Sequence, residues 1–315
     1  MKIKTILLSL LIGLLFIVAL ITLLFGKRDI PLSELKSKYA QPPSRFMPLL
    51  GMDVHYRDEG NPQDTLPIVL LHGTSSSLHT YDGWVKKLIR TRRVIRMDLP
   101  AFGLTGPNPE RDYSMERYAD FVYAFLQALE VDRCILGGNS LGGNITWNFA
   151  LKYPAVAQKL ILIDASGYPV KATSVPIAFK MANTPVANKL LTFITPRFMG
   201  KASVENVYAD KSKVTEALVD RYFELTLRAG NRQGLVDRMQ MFLDSAAHKR
   251  IPEIQQPTLL LWGEQDYLVP IASAHRFQED LLNDTLVILP NLGHVPMEED
   301  PERSLESVLA FLKED

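Results

Sequence analysis

Residues 134–150, Cys-Ile-Leu-Gly-Gly-Asn-Ser-Leu-Gly-Gly-Asn-Ile-Thr-Trp-Asn-Phe-Ala, join an apolar run to a glycine-flanked serine and then, without a break, to a helical pattern. Gly138-Asn139-Ser140-Leu141-Gly142 fits G-x-S-x-G, a strand-to-helix turn that holds its serine in a strained backbone with the hydroxyl exposed. Glycines on both sides are required because strand and helix come too close for a Cβ. Ser140 is thereby placed at a helix N-terminus, where free N–H groups favour developing negative charge. A short glycine-rich turn with a solvated serine would look the same over five residues, so the rest of the chain must supply a base, an acid and oxyanion donors.

Strand and helix patterns alternate around this turn. Residues 52–57 read as a half-buried strand and residues 67–71 as one covered on both faces, ending in His72-Gly73-Thr74. Residues 94–99 form the next run. Ser114 then N-caps a helix with apolar positions at Tyr118, Phe121, Val122, Phe125 and Leu129. Residues 160–163, 258–262 and 285–289 are further strands, and Asp300-Pro301 opens a last helix. Such alternation predicts an α/β fold with a mostly parallel central sheet, helices on both faces and functional residues at the carboxyl ends of strands. From 166 to 256 the alternation stops, leaving helical stretches at 214–228 and 235–243. This segment reads as a helical lid inserted at the functional edge. The expected division is a core over 49–165 and 257–315, interrupted by the lid.

Ahead of the core, residues 5–25 carry no charge and are almost wholly Leu, Ile, Val and Phe. As a helix they would span about 31 Å at roughly 1.5 Å per residue, close to the hydrocarbon thickness of a bilayer. The run is too long for a signal peptide and lacks a small-x-small cleavage site. The expectation is a single-pass anchor over 1–28, with the large domain on the non-cytoplasmic side, followed by an unpacked stalk over 29–48 with Pro31, Pro42, Pro43 and Pro48. Lys+Arg and Asp+Glu are both 35, so no charge excess points to nucleic acid. The single cysteine, Cys134, excludes an internal disulfide and reads as a core thiol.

The strand ends supply the missing groups. Asp266 follows the strand at 258–262 and His294 follows the strand at 285–289, giving the chain order Ser140, Asp266, His294. A serine hydroxyl needs an imidazole to take its proton, and a carboxylate to fix the imidazole tautomer and stabilise its cation. Glu264 and Asp164 are rivals for the acid, Asp164 the stronger because it ends the strand at 160–163. His55, His79, His248 and His275 read as structural histidines. The oxyanion donors are expected from the backbone N–H groups of Thr74 and Leu141.

From about residue 46 onward the chain resembles α/β-hydrolase-fold proteins, through His72-Gly-Thr74, Asp98-x-x-Ala-Phe-Gly103, Gly138-Asn-Ser-Leu-Gly142, Trp262-Gly-Glu-Gln-Asp266 and Gly293-His-x-Pro-x-x-Glu299-x-Pro301. Ala101 departs from the glycine common at its position. The resemblance implies a lid over the pocket, and no metal or cofactor. Epoxide hydrolases and haloalkane dehalogenases attack with aspartate, so Ser140 implies acyl transfer to water: ester hydrolysis of a small-molecule or lipid substrate. The chain also resembles meta-cleavage C–C hydrolases, which share Gly-Asn-Ser-x-Gly-Gly and carry a lid arginine in the context of Arg221. By that resemblance Arg221 would bind a substrate carboxylate, although a helix-surface salt bridge is the competing role. Those enzymes usually place tryptophan after the catalytic histidine, where this chain has Val295. A catalytically silent, membrane-tethered binding protein is the alternative from another class, and the intact trio of Ser140, Asp266 and His294 argues against it. Oligomeric state is not encoded in any of these patterns.

Overall fold

The computed structural model describes residues 2–241 and 246–313, with side chains at 2, 3, 14, 15, 17, 18 and 21 excepted. Eight strands form one sheet: β1 (Arg45–Leu49), β2 (Met52–Gly60), β3 (Ile68–Leu71), β4 (Arg93–Met97), β5 (Cys134–Asn139), β6 (Ala157–Ile163), β7 (Thr258–Gly263) and β8 (Asp284–Leu289). Their order is β1-β2-β4-β3-β5-β6-β7-β8. The β1–β2 and β2–β4 pairs are antiparallel and all others are parallel. The mostly parallel sheet expected from the alternation is therefore present.

The helices are α1 (Lys2–Phe25), α2 (Leu32–Tyr39), α3 (Asp82–Leu88), α4 (Met115–Ala128), α5 (Leu141–Lys152), α6 (Ile177–Asn183), α7 (Ala187–Leu191), α8 (Arg197–Val207), α9 (Glu216–Thr226), α10 (Asn231–Gln240), α11 (Ala272–Asp280), α12 (Pro296–Glu299) and α13 (Pro301–Phe311). Side-chain alternation along the strands divides the core into two layers. Val69 and Leu71 of β3, with Leu260 and Trp262 of β7, pack with Phe121, Phe125, Trp147 and Phe277. Ile68 and Leu70, with Leu259 and Leu261, face Trp84, Leu305, Val308 and Phe311 on the other side. Cys134 is buried and free, and burial pushes its thiol up to about 12, as befits a core group. The predicted caps are formed: Ser114 Oγ accepts from Arg117 N and Asp300 Oδ1 from Arg303 N, each at 3.2 Å.

Five helices, α6 to α10, lie between β6 and β7, where the alternation was expected to lapse. The helix expected over 235–243 begins earlier, at Asn231, and residues 242 and 243 lie outside the described residues.

Two expectations for the N-terminus are corrected. Among the described residues, no helix is long and apolar enough to cross a membrane. Lys2–Phe25 forms α1. The anchor over 5–25, and the non-cytoplasmic placement built on it, are not supported. Residues 29–48 are not an unpacked stalk either. Leu35 of α2 is only 1% exposed, packed with Leu104 and Leu225. Ile30 N donates to Leu227 O at 2.8 Å, Lys27 N donates to Phe193 O at 3.0 Å, and Arg232 donates to Lys27 O and Asp29. The proline spacing does not reveal this packing because its partners are distant in sequence.

Replacing Leu35 with alanine should therefore cost about 2–5 kcal/mol, as for other large-to-small core changes. Urea unfolding of the full chain measures this, whereas an unpacked segment would show a change within about 0.5 kcal/mol.

Candidate active site

Strand order reverses at β3, which has β4 on one side and β5 on the other. In open parallel sheets the crevice beyond such a reversal is where ligands bind. The loops leaving β3 and β5 carry His72–Ser77 and Ser140.

Ser140 adopts φ +54° and ψ −111°, a conformation that costs an ordinary residue about 1–3 kcal/mol. The glycines around it explain how the turn is accommodated. A Cβ on Gly138 would lie 2.2 Å from Gly142 C, one on Gly142 would lie 2.1 Å from Leu71 O, and one on Gly143 would meet Ala165 Cβ at 2.4 Å. Ser140 N donates to Ile163 O at 3.0 Å, fixing the turn to the end of β6. The β3 loop closes over the turn from the other side, since a Cβ on Gly73 would sit 3.3 Å from Ser140 Cβ. Among the described residues, neither the Thr74 nor the Leu141 N–H donates a hydrogen bond, so both are available to an anionic oxygen beside Ser140.

Asp266 and His294 are brought together as expected. Asp266 Oδ1 accepts the N–H groups of Leu268 and Val269 at 2.8 and 2.9 Å, which orients Oδ2 to accept from His294 Nδ1 at 2.7 Å. With Nδ1 as donor, neutral His294 presents Nε2 as an acceptor. The Ser140 hydroxyl makes no hydrogen bond among the described residues, so its link to the imidazole is not closed in this conformation; catalytic hydrogen bonds are often long until substrate binds.

Three residues that motif reasoning left without a role support this arrangement. Asn139 donates from Nδ2 to His294 O at 2.8 Å and to Ile163 O at 3.2 Å, tying the histidine loop to the serine turn. Glu299 accepts from Gly293 N at 2.8 Å, Ala209 N at 3.2 Å and Asp210 N at 2.8 Å, joining that loop to the helical insertion. Asp98 accepts from His55 Nδ1 at 2.7 Å, Leu78 N at 2.8 Å and Leu104 N at 2.7 Å. His72 Nε2 accepts from Leu99 N at 2.9 Å and so holds the base of the β3 loop. The fixed spacing of Asp98 and Glu299 within their motifs was the available signal.

Asp164, the rival acid, is also at the site. Its Oδ1 accepts from Gly263 N at 2.9 Å, and its Oδ2 is buried without a partner. Burial, and after it the neighbouring Asp266 carboxylate, raise its pKa well above the usual range. Asp164, Asp266 and His294 are also close enough to hold a cation, which would have to displace the Nδ1 proton from the Asp266–His294 bond.

Arg221 is turned away from these groups. It pairs with Glu298, whose other oxygen accepts from Tyr222 Oη at 2.8 Å. Tyr222 Oη in turn lies 3.1 Å from Ser76 Oγ of the β3 loop. Arg221 is absent from the walls of the cleft beside Thr74 and Ser75. That partly open cleft has a volume of about 630 Å³, solvent at its mouth included, and is walled by Phe179, Met199, Val204, Val207, Phe223 and Leu235, among others.

A serine on a strained strand-to-helix turn, an imidazole–carboxylate pair and this sheet order together define a class of fold, and a family model described as the alpha/beta hydrolase fold matches residues 67–301. The chain belongs to that family. An uncharacterized hydrolase of Bacillus subtilis, YugF, is 30% identical over 280 residues, covering 86% of this chain and 98% of that protein. The 2-hydroxy-6-oxo-6-(2'-aminophenyl)hexa-2,4-dienoic acid hydrolase of Metapseudomonas resinovorans is 26% identical over 283 residues, covering 85% and 90%. Among solved structures, a membrane phospholipase A has a similar fold, with a TM-score of 0.73 at 24% identity over 99% of this chain and 98% of that one. These similarities support a hydrolase.

The raised pKa of Asp164 has a consequence for stability. In the unfolded chain this carboxyl ionises near 3.8, whereas in the folded protein it keeps its proton to higher pH. The folded state then binds more protons, so this group's contribution becomes less favourable as pH rises above 3.8. Asp164→Asn removes that dependence: the Tm difference, variant minus wild type, should grow from pH 4 to pH 7. A constant difference would mean that Asp164 ionises normally.

Proposed function

We propose that the chain is a serine hydrolase that cleaves carboxylic esters with lipophilic acyl groups. Ser140 is the nucleophile, His294 the base, Asp266 its orienting carboxylate, and the Thr74 and Leu141 N–H groups the oxyanion hole. Residues 166–256 act as the lid on a core of 49–165 and 257–315. His294 Nε2 takes the Ser140 proton as Oγ attacks the ester carbonyl, and the developing oxyanion is held by the two N–H groups. His294 then returns the proton to the departing alcohol, leaving an acyl-enzyme that water hydrolyses by the same route in reverse.

The observation that carries the ester assignment is the cleft beside Thr74. Among the described residues lining it there is no lysine or arginine, and most of its wall is apolar. An uncharged acyl chain gains from burial there, at roughly 25 cal/mol per Å². A substrate carboxylate would lose its hydration without a cation to replace it. Arg221, the candidate for that cation, is already paired with Glu298. The phospholipase fold and the apolar cleft agree with a lipid-like ester.

The second reading is C–C hydrolysis of a dienoate, favoured by the relative that acts on a hexadienoic acid. It requires Arg221 to leave Glu298 for the substrate.

An ester panel of increasing acyl length, with a ring-fission dienoate included, tests the two. Turnover of p-nitrophenyl esters is expected, and Ser140→Ala should abolish both that turnover and covalent labelling by a fluorophosphonate. Unchanged turnover in that variant would defeat the assignment. Arg221→Met should lower stability by about 3–5 kcal/mol through the charge left on Glu298. Its KM for neutral esters should change little, whereas dienoate hydrolysis as the main activity, with KM rising at least tenfold in Arg221→Met, would establish the second reading.

A further inference from the structure

The buried arginines of this chain differ in one respect. Arg96, 2% exposed, is paired with Glu59 and Asp82. Arg232, 6% exposed, is paired with Asp29 and donates to Lys27 O. Arg238 of α10 is 7% exposed, yet it has no carboxylate partner among the described residues; its Nε, like those of Arg232 and Arg221, is buried without an acceptor. Burial lowers the pKa of its guanidinium, offset only in part by the Tyr118 phenol and by no carboxylate among the described residues. Removing a cation from water without a counter-charge costs several kcal/mol.

Arg238 lines a partly open cavity of about 1410 Å³, solvent at its mouth included, separate in its lining from the cleft beside Thr74. The cavity lies between α4, α5, the chain leaving β6 and the turn at 247–253. Its walls are mixed: Met115, Trp147 and Leu151 are apolar, Asn144 and Ser166 are polar, and the Glu116 carboxylate at its edge is paired with Lys152. Asn144 Nδ2 donates to Ser166 Oγ at 3.3 Å, and Ser166 N donates to Ser140 O at 3.2 Å, so the cavity backs onto the serine turn. The other basic residue on the wall, Arg250, already pairs with Glu253.

We propose that this cavity is a second binding site, for an organic carboxylate whose anionic head pairs with Arg238 and whose apolar body lies against Met115, Trp147 and Leu151. The planar guanidinium matches a carboxylate in two parallel hydrogen bonds. The apolar walls favour a carbon chain over a fully hydrated inorganic anion. The site is independent of the reaction assigned to Ser140.

Thermal unfolding of the full chain in dilute zwitterionic buffer tests it. The probes are sodium hexanoate, acetate and phosphate, with sodium chloride as an ionic-strength control and Arg238→Met and Asp244→Asn as variants. Asp244 is the acidic residue of 242–245, which lie outside the described residues. Hexanoate should raise the wild-type Tm above the chloride control by a few degrees, and acetate by less. Arg238→Met should lose that response while melting no lower than wild type without probe, because an uncompensated buried cation has been removed. Asp244→Asn should keep the response. A wild-type response to phosphate alone, or none to hexanoate, overturns the proposal. So does an Arg238→Met that melts lower without probe together with an Asp244→Asn that reproduces its loss, since the chain would then supply its own counter-ion.

Discussion

The close approach of the serine turn to the strands on either side of it is the constraint from which the rest of the site follows. Three glycines let the first turn of α5 lie within a Cβ's reach of β3 and of Ala165 beyond β6. That proximity holds Ser140 at positive φ, since the turn has no room to relax. It also brings the β3 loop, which carries Thr74, against the turn that carries Leu141.

The Asp266–His294 pair is coupled to this turn by ordinary hydrogen bonds. Asn139 reaches the His294 carbonyl, and Glu299 fixes the histidine loop to the insertion through three backbone N–H groups. Gly293 permits the second contact, because a Cβ there would strike Val207 O at 2.6 Å. His294 N also donates to Val207 O at 2.9 Å. His294 is thus held jointly by the core and by the end of α8, so a shift of α8 is felt at the imidazole.

The core of the fold was legible because its signals are local. The apolar runs of β3, β5 and β7, each bounded by a turn, identify buried parallel strands, and each is followed at once by a residue of the site. Ala101 illustrates the reach of such reading: its φ of +82° explains why glycine is common there, and alanine is small enough to remain. What stayed hidden depends on contacts between distant residues. The packing of Leu35 on Leu104 and Leu225, and the pairing of Arg221 with Glu298, 77 positions away, leave no trace in local periodicity. An arginine on a helix face looks the same whether it faces solvent, a substrate or a buried glutamate. For residues 5–25, composition suggested a membrane span, yet among the described residues no helix is long and apolar enough to cross a membrane.

The segment between α1 and β1 runs along the helical insertion, hydrogen-bonded to Phe193 and Leu227 and clamped by Arg232. On its opposite flank the insertion is fastened to the histidine loop through Glu299. A structure held along two margins cannot swing open as one rigid door. Any widening of the apolar cleft that keeps both fastenings has to arise within the insertion, where Ala178 and Phe179 of α6 and Met199, Val204 and Val207 of α8 form part of its wall.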